Sequence, residues 1–190
     1  MLIRRMVILL SAGALAVGLS TAVGGAAQAS VTPPTTGWGE IWVPDVSAQS
    51  NTLCVDVPGG STSRGAQLQL FHCHGYGSDG APQRWEFQYV GSDGWPLYTI
   101  KNVSSGWCIT ATAGVFTQDT CSSSFVYWEL RSENLWSTDP NFELALFDSP
   151  VSGPGSLCIA AGNSTDSNHT PLVGTTCDSF NNGLEIFRLG

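Results

Sequence analysis

Polar and aromatic side chains share one face of two predicted strands, at residues 53–57 and 68–71. Side chains of a strand point alternately to opposite faces, so Asp56 points away from the valines beside it, and Gln69 and Phe71 point away from the leucines beside them. A carboxylate accepts charge-assisted hydrogen bonds from hydroxyl groups, and a flat apolar ring packs against the C–H face of a pyranose. This face of the two strands therefore predicts the binding of a sugar.

Each of these side chains also has an interpretation that involves no ligand. Asp56 precedes a Val-Pro-Gly-Gly turn and could accept hydrogen bonds from its N–H groups. Phe71 could pack under the loop at 74–82, and His72 and His169 are expected to be ordinary surface residues. We favour the binding interpretation, because the acid, the amide and the ring occur together at one place in the chain.

The sequence gives little support for catalysis or for a bound metal. Glycosidases use two carboxylates about 5 to 9 Å apart across a cleft, and the repeats described below leave no separate catalytic domain. The chain contains neither a G-x-S-x-G nor an H-E-x-x-H motif. His72 and His74 flank a cysteine, but no C-x-x-C pair accompanies them, and exported thiols rarely stay reduced. We expect no enzyme activity, no metal and no cofactor.

The composition excludes several classes of protein. Only 12% of the 190 residues are charged, and the formal net charge is −8, which argues against a nucleic-acid binder of the basic-patch kind. The 22 glycines and 10 prolines favour turns and short strands. A helical bundle is thereby excluded.

Residues 1–29 have the pattern of a signal peptide. A pair of arginines precedes an apolar stretch, and the Ala-Gln-Ala at 27–29 matches a signal-peptidase site. The apolar stretch is shorter than the roughly 20 residues of a membrane span. The sequence predicts a secreted protein with a leader typical of bacteria, a short extended segment at 30–39 and one domain at 40–190.

The six cysteines divide this domain into three units with one plan. In each unit a first cysteine is followed by an aliphatic residue, a second cysteine comes later, and a strand with an aromatic residue ends the unit. The units cover about 40–91, 92–138 and 139–190. An even number of cysteines in an exported chain predicts disulfides, and pairing within units gives Cys54–Cys73, Cys108–Cys121 and Cys158–Cys177.

The segments between the cysteines alternate apolar and polar residues and are separated by Gly, Pro, Ser and Asn clusters, which predicts an all-β fold. One repeat cannot bury its own apolar face, so the three must close around a shared core. Trp85, Trp128 and Phe187 end the three units and are expected to fill that core.

The first unit resembles the first repeat of a ricin-type β-trefoil lectin domain. In that family the pattern CxD, QLWxC and QxW recurs in three repeats, and this chain reads CVD at 54–56, QLQLFHC at 67–73 and QRW at 83–85. The resemblance covers roughly residues 40–190. It implies a twelve-stranded β-trefoil with pseudo-threefold symmetry and shallow sugar sites.

The resemblance also implies ligand roles for four residues: the acid Asp56, the strand amide Gln69, the stacking ring Phe71 and the closing-motif glutamine Gln83. Pro82 stands where the family usually has an asparagine, which removes a hydrogen-bond donor and an acceptor. The loop at 74–81 could replace them, with His74, Tyr76 or Asp79 as the supplying side chain.

The second and third units lack this set of residues. Thr110 and Ala160 stand at the acid position, and Asp119 and Thr175 stand at the position of the aromatic ring. The sequence therefore predicts one sugar site, in the first repeat.

The combined prediction is a secreted, monomeric lectin that binds a glycan, with no nucleic-acid partner and no membrane insertion. The acidic balance favours a neutral glycan over an anionic one. The alternative is a secreted trefoil that binds protein, for instance a protease inhibitor with a projecting loop, since two degenerate repeats would be enough for such a scaffold.

Overall fold

The computed structural model describes residues 38–43, 53–75, 77–132, 142–147, 157–162, 168–177 and 187–189. The predicted signal peptide at 1–29 and residues 30–37 of the predicted extended segment lie outside these ranges, as does Tyr76. Within the described part of the chain, no helix has the length and apolar character that a membrane span needs.

Twelve described strands form the fold, four in each repeat. The first repeat has β1 (Gly39–Val43), β2 (Leu53–Asp56), β3 (Gln69–His72) and β4 (Arg84–Asp93). The second has β5 (Trp95–Asn102), β6 (Cys108–Thr112), β7 (Val115–Asp119) and β8 (Trp128–Ser132). The third has β9 (Phe142–Leu146), β10 (Leu157–Ala161), β11 (Thr170–Thr176) and β12 (Arg188–Leu189). Short 3-10 turns lie at Pro58–Gly60 and Ser78–Gln83.

The first and last strands of the repeats close into a six-stranded barrel. Antiparallel pairing joins β1 to β4, β4 to β5, β5 to β8 and β8 to β9. The bridge between Phe142 and Phe187 links the third repeat's own ends, and β12 pairs back to β1. Among the described strands, closure leaves no open edge in this layer, because every barrel strand has a neighbour on both sides.

The middle strands of each repeat form a hairpin, β2–β3, β6–β7 and β10–β11. These hairpins contact each other as well: β11 pairs with both β3 and β7, and Gln67 bridges to Thr117. The β3–β11 contact brings residues of the first and third repeats together, which matters for the site described below. The barrel with its three joined hairpins confirms the predicted β-trefoil.

The core lies where the barrel meets the hairpins. Trp85, Trp128 and Phe187 are fully buried, as predicted. The Trp85 indole N–H donates to the Val55 carbonyl at 3.0 Å, and the Trp128 indole N–H donates to the Ile109 carbonyl at the same distance. Each tryptophan thus ties the closing strand of its repeat to the hairpin of that repeat while its only polar atom stays satisfied.

All three predicted disulfides are present, Cys54–Cys73, Cys108–Cys121 and Cys158–Cys177. The first cysteine of each pair occupies an equivalent register, opposite Trp42, Lys101 and Ala145 of the preceding barrel strand. The bridges therefore repeat with the threefold plan of the fold and staple each hairpin at the end nearest the barrel.

Candidate functional site

A cavity of about 560 Å³ opens beside β2 and β3 of the first repeat. Asp56, Gln69, Phe71 and His74 line it, so four of the five predicted ligand residues lie together. Gln83, the fifth, is not among the lining residues. The remaining walls are the turns at 59–60 and 81–82 with one residue each from the second and third repeats.

Asp56 lies at the end of β2, directly opposite Gln69 of β3. Its carboxylate Oδ2 accepts a hydrogen bond of 2.8 Å from Gln69 Nε2, and only 6% of the residue is exposed. The turn that follows is closed by its own backbone, since the Gly60 N–H donates to the Val57 carbonyl. Among the described residues, Gln69 is the one hydrogen-bond partner of the Asp56 carboxylate, so the turn does not consume its acceptor capacity.

Phe71 is half-buried and is surrounded by all three histidines of the chain. The His74 ring stacks on it with centroids 5.4 Å apart and planes at 14°. The His169 ring meets it edge-on at 4.8 Å, and the His72 ring is tilted against it at 4.9 Å. Phe71 and His74 therefore form a stacked aromatic pair at the wall of the cavity.

Gln83 is fully buried behind the cavity. Its Oε1 accepts the His74 backbone N–H at 2.8 Å, and its Nε2 donates to the His72 carbonyl at 2.9 Å. The oxygen and the nitrogen of the side-chain amide thus both hold the backbone at the end of β3 and just after it. The geometry gives Gln83 a positioning role for His74 and Phe71 in place of the direct contact that the resemblance implied.

Pro82 forms part of the wall where the family usually has an asparagine. Its carbonyl accepts hydrogen bonds from the Val57 N–H at 3.3 Å and from Asn102 Nδ2 at 2.9 Å. On the facing turn, a side chain at Gly60 would come within 3.3 Å of the Pro82 ring, and φ is +63° there, so glycine suits the position. These contacts fix one wall of the cavity.

The equivalent position in the second repeat is closed. Thr110 pairs with Thr117 in the register that Asp56 and Gln69 occupy in the first repeat. The Thr110 hydroxyl lies 3.1 Å from the Ser124 carbonyl and 3.2 Å from that of Phe125 and donates to them. The local loop thus bonds to the residue that replaces the acid.

The position of the aromatic ring is also changed in the other repeats. Asp119 pairs with Cys108, as Phe71 pairs with Cys54, and forms an ion pair with Arg64 at 2.5 Å. The hydrogen bond from Arg64, together with that from the Thr120 N–H, lowers the pKa of Asp119 below its ordinary value. In the third repeat Ala160 pairs with Val173, so neither an acid nor an amide is present.

Glu40 of β1 is a second partly buried acid near the bridge of the first repeat. Its Oε2 lies 4.0 Å from the Cys54 sulfur, which has no proton to donate because it is bonded to Cys73. Its Oε1 is buried without a hydrogen-bond partner among the described residues. Burial raises the pKa of Glu40, and the nearby charge of Arg84 partly opposes that rise.

The sequence does not indicate the two lining residues that come from the other repeats, Ser104 and His169. The sequence predicts an ordinary surface residue at His169. It is exposed, but it also lines the cavity, because β11 pairs with β3 at Leu70. A strand pairing between residues about a hundred positions apart leaves no local pattern in the sequence. Only a threefold arrangement of hairpins could have indicated it.

Comparison with known proteins agrees with this architecture. The family model described as "Ricin-type beta-trefoil lectin domain" matches residues 45–183. A search of curated protein sequences found no match.

Solved structures with the same fold include ThreeFoil, a designed threefold-symmetric protein, with 19% identity, 81% of this chain and 98% of that chain covered, and a TM-score of 0.59. The agglutinin of Rhizoctonia solani has 18% identity and a TM-score of 0.56, and the match covers 83% of this chain and 98% of the agglutinin chain. The C-terminal half of an earthworm R-type lectin, solved in complex with GalNAc, has 13% identity and a TM-score of 0.53. The match covers 81% of this chain and 98% of the lectin chain.

At these identities the structures establish the fold, while the family model spans most of the chain and includes all six cysteines and the cavity. The chain belongs to the ricin-type β-trefoil lectin domain family.

Proposed function

We propose that the protein is a secreted, monomeric lectin that binds a neutral glycan in the cavity of the first repeat. The observation that carries this proposal is the convergence of the Asp56 carboxylate, the Gln69 amide and the ring pair of Phe71 and His74 on one cavity. The corresponding positions of the other repeats hold no such set. Among the described residues this set occurs once, which supports a single site of this kind.

The chemistry of these groups suits a pyranose. Asp56 accepts hydrogen bonds from sugar hydroxyls, and the hydrogen bond from Gln69 already holds its carboxylate in place. The sugar's C–H face packs against Phe71 and His74. Because Cys54–Cys73 and Gln83 fix the supporting segments before a ligand arrives, little ordering entropy is lost on binding.

The cavity is better suited to binding than to hydrolysis. Asp56 is the one carboxylate among the described side chains that line it, whereas most glycosidases need two. A shallow single site typically gives millimolar affinity, about −4 kcal/mol. Display of several copies on one particle would supply the avidity that a single site lacks.

A glycan array tests the proposal most simply. Wild-type protein is compared with Asp56→Asn, which removes the charge at the base of the cavity, and with Asp93→Asn, a matched control at an exposed acid of the β4–β5 hairpin. We expect Asp56→Asn to lose binding and Asp93→Asn to retain it.

Binding that survives Asp56→Asn in a folded protein would place the site elsewhere. A wild-type protein that binds no glycan but inhibits a secreted protease would favour the protein-binding alternative.

A further inference from the structure

A histidine from the third repeat contacts the ring at the centre of the cavity. The His169 and Phe71 rings meet edge to face, with centroids 4.8 Å apart and planes at 62°, an arrangement that aromatic pairs favour. His169 is exposed and lines the cavity. The third repeat thus brings a polar ring to a site whose acid, amide and phenyl ring come from the first repeat.

The backbone holds His169 in this place firmly. Its φ is +64°, in the left-handed region that few residues other than glycine adopt. Its N–H donates to the Leu70 carbonyl at 2.8 Å, and the next residue, Thr170, pairs with Leu70. Such backbone conformations persist where the surrounding structure imposes them, and they concentrate at ligand sites.

Asn168 attaches this turn to the end of β3. Its Oδ1 accepts the His72 backbone N–H at 2.8 Å, and this bond sets the direction of the amide. Its Nδ2 then lies 3.1 Å from His72 Nδ1. An amide nitrogen only donates, so His72 Nδ1 must be the acceptor and carry no proton.

We propose that His169 is a ligand-contacting, specificity-determining residue of the cavity, and that protonation of the histidines weakens glycan binding. The inference rests on the proposed glycan site. A protonated His72 cannot accept the hydrogen bond from Asn168, and the turn that presents His169 loses one of its attachments. Histidine ordinarily changes charge between about pH 5 and 8.

The surrounding charges act in the same direction. The described titratable groups that line the cavity are Asp56, His74 and His169. His72 of β3 contacts the Phe71 ring beside it, and Glu40 of β1 lies near the Cys54 sulfur and the charge of Arg84. The His72 and His74 rings are 6.0 Å apart, so their positive charges would repel. An imidazolium in the cavity would also compete with sugar hydroxyls for the Asp56 carboxylate.

The test uses an array of neutral glycans at about pH 8 and about pH 5. His169→Asn removes the ring but keeps a residue that tolerates a positive φ. Phe125→Asn is the matched control, since Phe125 is also exposed with a φ of +63° and lies in the second repeat. Asn168→Asp exchanges the amide for a carboxylate, which accepts a hydrogen bond from protonated His72.

We expect wild type and Phe125→Asn to bind more weakly at the lower pH. His169→Asn should bind roughly fivefold to thirtyfold more weakly than wild type at the higher pH, the effect of losing a ligand contact. Asn168→Asp should lose less affinity on acidification than wild type does. Thermal unfolding, measured at both pH values, checks that each variant is folded.

If His169→Asn binds glycan with the same affinity and the same response to pH as wild type, this inference is wrong and the proposed function is unaffected. If His169→Asn does not fold, the inference is tested by Asn168→Asp. It is wrong if this variant loses as much glycan affinity on acidification as wild type does. A wild-type protein that binds no glycan at either pH would overturn the proposed function, and this inference with it.

Discussion

At the scale of single residues, the site depends on which polar groups are already satisfied by the protein. Asp56 bonds to one amide and keeps acceptor capacity at the base of the cavity. Gln83, in contrast, uses both its amide oxygen and its amide nitrogen in hydrogen bonds to the backbone at His74 and His72. The family motif implies a ligand role for both residues. The structure leaves Asp56 available for the proposed ligand, whereas Gln83 holds the chain that carries His74.

We predict that Gln83→Met destabilises the protein by about 1–3 kcal/mol, because it leaves the His74 N–H and the His72 carbonyl, which make partly buried hydrogen bonds to Gln83, without these partners. Glycan affinity should fall as well, since the backbone at His74 is released. Denaturant unfolding and glycan titration measure the two effects. Gln88→Met, at an exposed position of β4, is the control; equal stability of the two variants would show that the Gln83 hydrogen bonds contribute nothing.

Glu40 gives a pH-dependent prediction. Because burial raises its pKa in the folded state, the folded protein holds this proton more tightly than the unfolded chain does. The contribution of Glu40 to stability is thus present at low pH and is lost as the pH rises from the ordinary value through the raised one.

Glu40→Gln cannot ionise, so its stability relative to wild type should increase across this pH range. Urea unfolding at a series of pH values measures the difference. Glu86→Gln, at an acid that is paired with Lys101 and has 43% of its side chain exposed, provides the comparison. A difference between Glu40→Gln and wild type that is constant with pH would contradict the assigned burial effect.

At the scale of elements, the β2–β3 hairpin is the unit that builds the site. Register places Asp56 opposite Gln69 and Cys54 opposite Phe71, so the Cys54–Cys73 bridge closes the hairpin beside the aromatic ring. The β6–β7 hairpin has the same register and its own bridge, but a threonine and an ion-paired aspartate occupy the corresponding positions. The scaffold is repeated, whereas the binding groups are not.

Removal of the first-repeat bridge and removal of the second-repeat bridge should therefore have different effects on glycan binding. Cys54→Ala with Cys73→Ala, and Cys108→Ala with Cys121→Ala, should each lower stability by about 3 kcal/mol on the chain-entropy model. Only the first pair of substitutions should weaken glycan binding. Calorimetry and glycan titration test this, and equal loss of binding in both variants would show that the bridges act on the fold as a whole.

The sequence predicts the elements of the site well where the signal is local. The period-two alternation predicts that Asp56, Gln69 and Phe71 share one face, and all three line the cavity. The repeat plan predicts three disulfides, and all three are present. The direction of the Gln83 amide depends on the path of the chain after β3, and the approach of His169 depends on β11 pairing with β3. Both are consequences of tertiary packing, which no local pattern encodes.

At the scale of the whole molecule, the threefold architecture and the proposed single-site function are separate properties. The barrel, the joined hairpins and the buried closing residues Trp85, Trp128 and Phe187 need all three repeats. The proposed site needs one repeat for its main groups and its neighbours for the walls at Ser104 and His169. Two repeats are thus free to lose the binding residues as long as they keep their core positions.

The central claim, one glycan site in the first repeat, is tested most directly by mapping backbone amide chemical shifts during titration with the glycan that binds best on the array. We predict shifts at Asp56, Gln69, Phe71, His74 and His169, and none at the equivalent Thr110, Asp119 and Ala160. Shifts at the second or third set of positions, or none at Asp56 and Phe71, would contradict it.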